Sequence, residues 1–210
     1  MDKVVIAPCM NIYKNVFPKE MQIVDRLEGG LSNSNGRYGW SRAQVGVDEV
    51  YLDHRNCFDF KYRKSDLGPI DQYNLDLANL YDDIYKVIRE CLDDYSRDYH
   101  INLEYIEAFN MVKYGVGEKF GYHGDDGDPY RCTTSLVGYI NDDYVGGEID
   151  FKFFNLKVKP DAGDLVIFPS SYAYLHASLP VEEGNKYVVV IMTDRHEEAH
   201  KNDSYIYRSR

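Results

Sequence analysis

The residues best suited to chemistry are His123, Asp125 and His176, with Lys186 ten positions past the second histidine. Two imidazoles and one carboxylate on one side of an ion leave open positions, which suits non-haem Fe(II) and oxygen chemistry. The same three ligands also fit a catalytic zinc. A closed, thiolate-rich zinc site does not fit, because Cys9, Cys57, Cys91 and Cys132 are scattered with no C-x-x-C spacing.

Lys186 narrows the choice. It opens the apolar run Tyr187-Val188-Val189-Val190-Ile191, where a lone buried charge is costly. An ammonium binds a carboxylate as a point charge with several donors. An Fe(II) oxygenase needs a two-electron co-substrate, and 2-oxoglutarate brings a distal carboxylate that would pair with this lysine. Taken singly, each residue has a plainer reading: a surface H-x-D, a core histidine, a lysine at a strand edge. Their order, spacing and strand context together favour the site.

The elements that must position these groups follow from the spacing. Side chains two apart on a strand share a face, so an extended Tyr122–Asp125 would aim His123 and Asp125 at one ion. His176 comes 53 residues after His123 and must lie on a different strand, folded back beside the first. Strands lining a common interior, as in a β-sandwich, achieve this.

The pattern Y-x-x-G-x-x-F-x-x-H-x-D stands at Tyr114 to Asp125. Tyr139-Ile140-Asn141, Gly146-Gly147-Glu148, a Gly163 to Phe168 strand and H-x-x-x-P-V-x-x-G-x-K at His176 to Lys186 follow it. Together these resemble the 2-oxoglutarate/Fe(II) dioxygenases, in their prolyl 4-hydroxylase-like branch. The likeness covers about residues 105–194 and the N-terminal half only loosely. It implies that His123, Asp125 and His176 hold Fe(II) and that Lys186 binds the distal carboxylate of 2-oxoglutarate. It also implies that Tyr139 bonds that carboxylate and that Tyr114 lines the co-substrate pocket. O2 is then the oxidant, ascorbate an added reductant, and a peptidyl proline the first substrate. Another residue, a free amino acid or a small metabolite are alternatives, and a non-catalytic jelly-roll binding module is the reading from another class. The chain departs from the family at Ile149 (often Thr), at Met192 (commonly Trp) and in the spacing of Arg131 to Ser135. These departures bear on the substrate more than on the metal.

Composition sets outer bounds. The chain has 210 residues, room for one sizeable domain. Its net charge of −11, with no basic stripe, argues against a nucleic-acid partner and is compatible with a basic peptide. No apolar run approaches a membrane span, and the start is too short for a signal-peptide core. Four scattered cysteines suggest thiols in a reducing compartment, hence a cytoplasmic expectation.

The expected architecture is mainly β with flanking helices: a double-stranded β-helix (jelly roll) core packed on a long N-terminal-half helix, a single domain overall. Residues 1–104 form a supporting region with helices over about 18–28 and 71–97. Residues 105–194 form the catalytic core and 195–210 a polar tail. The first helix is expected to stop at Gly29-Gly30. The second carries an apolar stripe from Leu77 to Tyr95 with period near 3.6. Residues 37–64 are ambiguous, with Val45, Val47, Val50 and Leu52 suggesting strand, Trp40 as core or pocket wall, and Lys61 to Lys64 as a solvated loop. Asp125-Asp126-Gly127-Asp128 lacks the spacing of a calcium loop. His196 and His200 read as part of a solvated terminus.

Overall fold

A computed structural model describes residues 1–45, 50–103, 105–127 and 131–195. Val47, Asp128, His196 and His200, and with them the expected tail beyond Arg195, lie outside the described residues.

The described chain is mainly β with two α-helices. The strands in the N-terminal half are β1 (Lys3–Ala7), β2 (Met10–Tyr13), β3 (Ser41–Arg42), β4 (Arg55–Asn56) and β5 (Phe58–Tyr62). Next come β6 (Tyr105–Ile106), β7 (Phe109–Tyr114), β8 (Lys119–His123), β9 (Cys132–Tyr139), β10 (Val145–Gly146) and β11 (Ile149–Phe151). The last are β12 (Leu156–Val158), β13 (Leu165–Pro169), β14 (His176–Ser178), β15 (Val181–Glu183) and β16 (Lys186–Asp194). The helices are α1 (Ile23–Asn33) and α2 (Leu75–Tyr99).

The larger sheet runs β1-β2-β13-β9-β16-β7-β5-β3, with β6 also beside β16. The smaller runs β12-β11-β14-β8-β4, and β10 pairs with β15. Four strands from the N-terminal half, β1, β2, β3 and β5, therefore hydrogen-bond into the same sheet as β7, β9, β13 and β16.

Alternation along the strands sorts side chains into two cores. Phe109 and Met111 of β7, and Val189 and Ile191 of β16, join the cluster under the helices. Val112, Tyr114 and Val188 join the cluster shared with Ile149 and Phe151 of the smaller sheet. The larger sheet thus buries both faces, so β16 reads as an almost unbroken apolar run. Helix α2 lays its stripe on the first face, where the Tyr81 ring stacks on Phe109 at 4.3 Å.

Several local expectations are corrected. Helix α1 begins at Ile23 after a 3-10 turn over Lys19–Met21, and it runs through Gly29-Gly30 to Asn33. Glycine does not stop it because Gly30 is a contact point: a Cβ there would lie 2.8 Å from Leu77 Cδ2 of α2. Helix α2 runs from Leu75 to Tyr99, several residues later than expected at its start. The Asp71–Asn74 segment is instead a turn, in which Asp71 and Tyr73 N–H groups donate to the Asn74 and Asp71 side chains. Val50 and Leu52 are exposed and outside any strand; β4 and β5 follow them. Tyr62 is a buried strand residue rather than part of a loop. Trp40 packs edge-on to Tyr187 and donates to Glu28 of α1, on the helix side of the sheet. β15 forms where a turn was expected. No helix among the described residues is long and apolar enough to cross a membrane.

The close approach at Gly30 gives a stability prediction. Gly30→Val should cost about 1–3 kcal/mol through overpacking against Leu77. Urea unfolding should show a lower midpoint at an unchanged slope.

Candidate metal centre and co-substrate pocket

His123 ends β8 and His176 begins β14, and the two residues are direct partners across an antiparallel pair. The next matched pair is Ser178 with Phe120, two residues along one strand but three along the other. The extra residue is a β-bulge, which re-aims a side chain. In a regular strand Phe120 and His123 would point to opposite faces. Here both line one cavity, and their rings stack at 3.6 Å.

Asp125 reaches the histidines by a different route from the one expected. β8 stops at His123, and Asp125 sits in a bend beyond it. The bend still brings one carboxylate oxygen 3.4 Å from His123 Nε2 and the other 3.7 Å from His176 Nε2. One ligand atom from each of the three residues lies within 4.8 Å of the others.

Both imidazoles are oriented by main-chain carbonyls. His123 Nδ1 is 2.8 Å from Gly121 O, and His176 Nδ1 is 3.1 Å from Tyr174 O. Nδ1–H donates to each carbonyl, which leaves each Nε2 lone pair toward the cluster. Burial holds His176 down at about 4, against the opposing pull of Asp125, so the ring is neutral at physiological pH. Burial pushes Asp125 up, but His176, His123 and Ser135 together outweigh it and hold the carboxyl at about 2. Two imidazole nitrogen donors and one ionised oxygen donor form a set that fits a divalent cation.

Lys186, the first residue of β16, lies directly opposite Tyr114 and is 2% exposed. Its ammonium donates to Gly147 O at 2.7 Å and to Ser178 Oγ at 2.9 Å. The rings of Tyr114 and Tyr139 lie 5.1 and 5.2 Å from it. Among the described residues no carboxylate is within ion-pair distance of it. Burial depresses its pKa to about 7, against the pull of Glu148 and Cys57. Burial likewise raises the pKa of both tyrosines, keeping them as neutral phenols.

Ser178 connects the two sites. It is two residues from His176 on β14, so both point into the cavity, about 7 Å apart along the strand. The ammonium bound to Ser178 is therefore one short reach from the His–Asp–His cluster. The cavity they share has a volume of about 560 Å³. Val112, Val137 and Val188 form an apolar floor between the two ends.

All six residues expected at the site, His123, Asp125, His176, Lys186, Tyr114 and Tyr139, line this one cavity. Sequence reasoning missed Ser178, Ser135 and Ser170. Ser135 was legible: with Val137 and Tyr139 it forms a period-two series on β9 that faces the same way. Ser170 lies in an irregular segment after β13 and gave no periodic signal.

A family profile described as the 2OG-Fe(II) oxygenase superfamily matches residues 109–193, the stretch that carries every one of those six residues. Over residues 109–193 the chain is similar to the 2OG-Fe(II) oxygenase superfamily. A probable prolyl 4-hydroxylase 9 of Arabidopsis thaliana is 32% identical over 111 residues, covering 39% of this chain and 38% of the relative. The chain spans about two fifths of the length of the curated relatives it matches. A prolyl hydroxylase from Trichoplax adhaerens, solved with a hypoxia inducible factor peptide fragment, aligns at a TM-score of 0.68 and 14% identity. That alignment covers 93% of this chain and 87% of the other. The viral collagen prolyl hydroxylase from Paramecium Bursaria Chlorella virus-1, in its 2OG complex, aligns at 0.59 and 20% identity over 88% and 94% of the two chains. These likenesses show a shared fold, including the N-terminal half that the profile leaves out.

The buried ammonium gives a pH prediction. The unfolded chain keeps an ordinary lysine, so between about pH 7 and 10.5 it binds more protons than the folded chain. Stability contributed by this group therefore rises with pH across that window. Relative to Lys186→Met, the thermal midpoint of the ligand-free wild-type chain should climb by at least about 2–4 °C from pH 7 to pH 10, as expected for about 1 kcal/mol in a chain of this size. Circular dichroism melts at both pH values check this.

Proposed function

We propose that this chain is an Fe(II)- and 2-oxoglutarate-dependent dioxygenase that hydroxylates a C–H bond, with a peptidyl proline as its first substrate. The observation that carries the reading is the pairing, within one cavity, of a three-ligand His–Asp–His cluster with a buried ammonium that has no carboxylate partner among the described residues. A metal site alone would not need such a lysine. A dicarboxylate co-substrate does, since its far end supplies the missing counter-charge.

On this reading the two facing sheets are the halves of a double-stranded β-helix, or jelly roll. His123, Asp125 and His176 hold Fe(II). Bound together, the iron and 2-oxoglutarate supply the oxidising chemistry, consuming O2 and releasing succinate and CO2. The chain supplies binding and position. Lys186 and the Tyr139 phenol hold the distal carboxylate, with Tyr114 packed beside it. Ser178 and Gly147 O fix the ammonium before the co-substrate arrives, so little ordering remains to be done on binding. The valine floor keeps water from the span between the two ends.

Size leaves room for a second reactant. Even at a water molecule's share of about 30 Å³ per non-hydrogen atom, the ten such atoms of 2-oxoglutarate fill no more than about 300 Å³. About half of the cavity is then left for a substrate residue. Its outer wall includes Arg55 and Asp59, paired at 3.2 Å, and Glu107, paired with Arg63 at 2.8 Å. Peptidyl proline is favoured by the nature of the relatives, which are prolyl 4-hydroxylases and PKHD-type hydroxylases. The net charge of −11 supports a peptide or small molecule over a nucleic acid.

Succinate release from 2-oxoglutarate tests the proposal. His123→Ala, Asp125→Ala or His176→Ala should each cut turnover by at least about 100-fold through loss of the metal. Lys186→Ala should instead raise the KM for 2-oxoglutarate by roughly tenfold or more, as expected for a lost charge-assisted contact. Wild-type turnover in the three metal-site variants would overturn the reading. A panel of proline-rich peptides and free amino acids, screened by the same release, then ranks substrates.

A further inference from the structure

Asp125 lies past the end of β8, where no ladder hydrogen bond holds it. Its anchor is a pair of buried hydroxyls. Ser135 Oγ donates to Asp125 Oδ2 at 2.6 Å, and Ser170 Oγ lies 2.7 Å from Ser135 Oγ. Ser135 is 0% and Ser170 2% exposed, so neither has water as an easy substitute partner. A serine hydroxyl has one proton to donate. With the Ser135 proton committed to Asp125, the proton between the two serines comes from Ser170. The chain therefore runs from Ser170 to Ser135 to Asp125, each bond polarising the next toward the carboxylate.

Main-chain bonds fix both ends of this chain. Asp126 N donates to Ser170 O at 3.1 Å, and Ser170 N donates to Thr133 O at 3.1 Å. The segment carrying Asp125 is thus latched to β9 and to the end of β13. From that end of β13 the chain passes through a 3-10 turn over Tyr172–Tyr174 to β14 and His176. The same two serines therefore tie together the approaches to two of the three metal-site residues.

Ser135 occupies one lone pair of Oδ2, which lies 3.7 Å from His176 Nε2, so Oδ1, 3.4 Å from His123 Nε2 and without that bond, is the freer oxygen for a cation. We infer that Ser135 and Ser170 are positioning residues that hold Asp125 to ligation through one oxygen and so keep neighbouring coordination positions open. The inference rests on the metal reading proposed above. Its physical basis is the coordination count. A carboxylate that ligates through both oxygens occupies a position that an incoming ligand would otherwise use.

Co(II) tests this without any substrate. The metal-free full chain is titrated with Co(II) by calorimetry while the visible absorption of the bound ion is recorded. Ser135→Ala should weaken Co(II) binding by about 10–100-fold and alter the visible band. Ser135→Thr, which keeps the hydroxyl, should stay within about threefold of wild type with the wild-type band. Ser170→Ala should fall between them, because Ser135 then keeps its bond but loses its donor. Wild-type affinity and spectrum in Ser135→Ala, with binding lost in His176→Ala, would overturn the relay and leave the metal site standing. Equal losses in Ser135→Ala and Ser135→Thr would also overturn it. A wild-type chain that takes up no Co(II) would overturn the metal site and the relay together.

Discussion

The register between β14 and β8 is the constraint on which the site depends. His176 and His123 are 53 residues apart in the chain, and only strand pairing sets one opposite the other. A slip of one residue would turn His176 to the outer face and bring Ala177 inward. Several features guard against that slip. Phe151 on the other side of β14 pairs with His176 and is fully buried, so the register is tied to core packing. The bulge in β8 then allows Phe120 and His123 to share one face, where Phe120 stacks on the imidazole.

The larger sheet solves a different problem. It must present polar groups to a cavity on one face while resting on an apolar support on the other. Alternation along β7, β9 and β16 does this residue by residue. Tyr114, Tyr139 and Lys186 face the cavity, whereas Phe109, Met111, Leu136 and Val189 face the helices. Helices α1 and α2 are remote from the chemistry. Their task is to cover a sheet face that would otherwise be exposed, and the Gly30 contact with Leu77 sets how closely they pack.

Lys186 shows what the site costs the fold. A fully buried ammonium bonded only to a carbonyl and a hydroxyl is poorly stabilised, as its depressed pKa reflects. Asp125 is the contrasting case: its largely buried carboxylate is supported by two imidazoles and Ser135, and it stays ionised. One charge is satisfied within the chain; the other, on the proposed reading, is left for the co-substrate.

Much of this was legible from residue types and intervals. The H-x-D and distant His, the lysine heading an apolar strand, the period-two segments and the period-3.6 stripe of α2 are one-dimensional signals, because strand and helix geometry repeat along the chain. They were enough to name six residues that line the cavity and a mainly β chain with flanking helices. Other features exist only between segments. Gly29-Gly30 looked like a helix stop, and only the neighbouring helix shows why a small residue is needed at Gly30. The H-x-D interval suggested an extended Tyr122–Asp125, but Asp125 is carried by a bend latched to β9 and β13. β5 looked like part of an ambiguous loop because its partner, β7, lies far along the sequence. Local periodicity determined which side chains could share a face. Tertiary pairing decided which faces meet, because register and long-range hydrogen bonds depend on residues far apart in the chain.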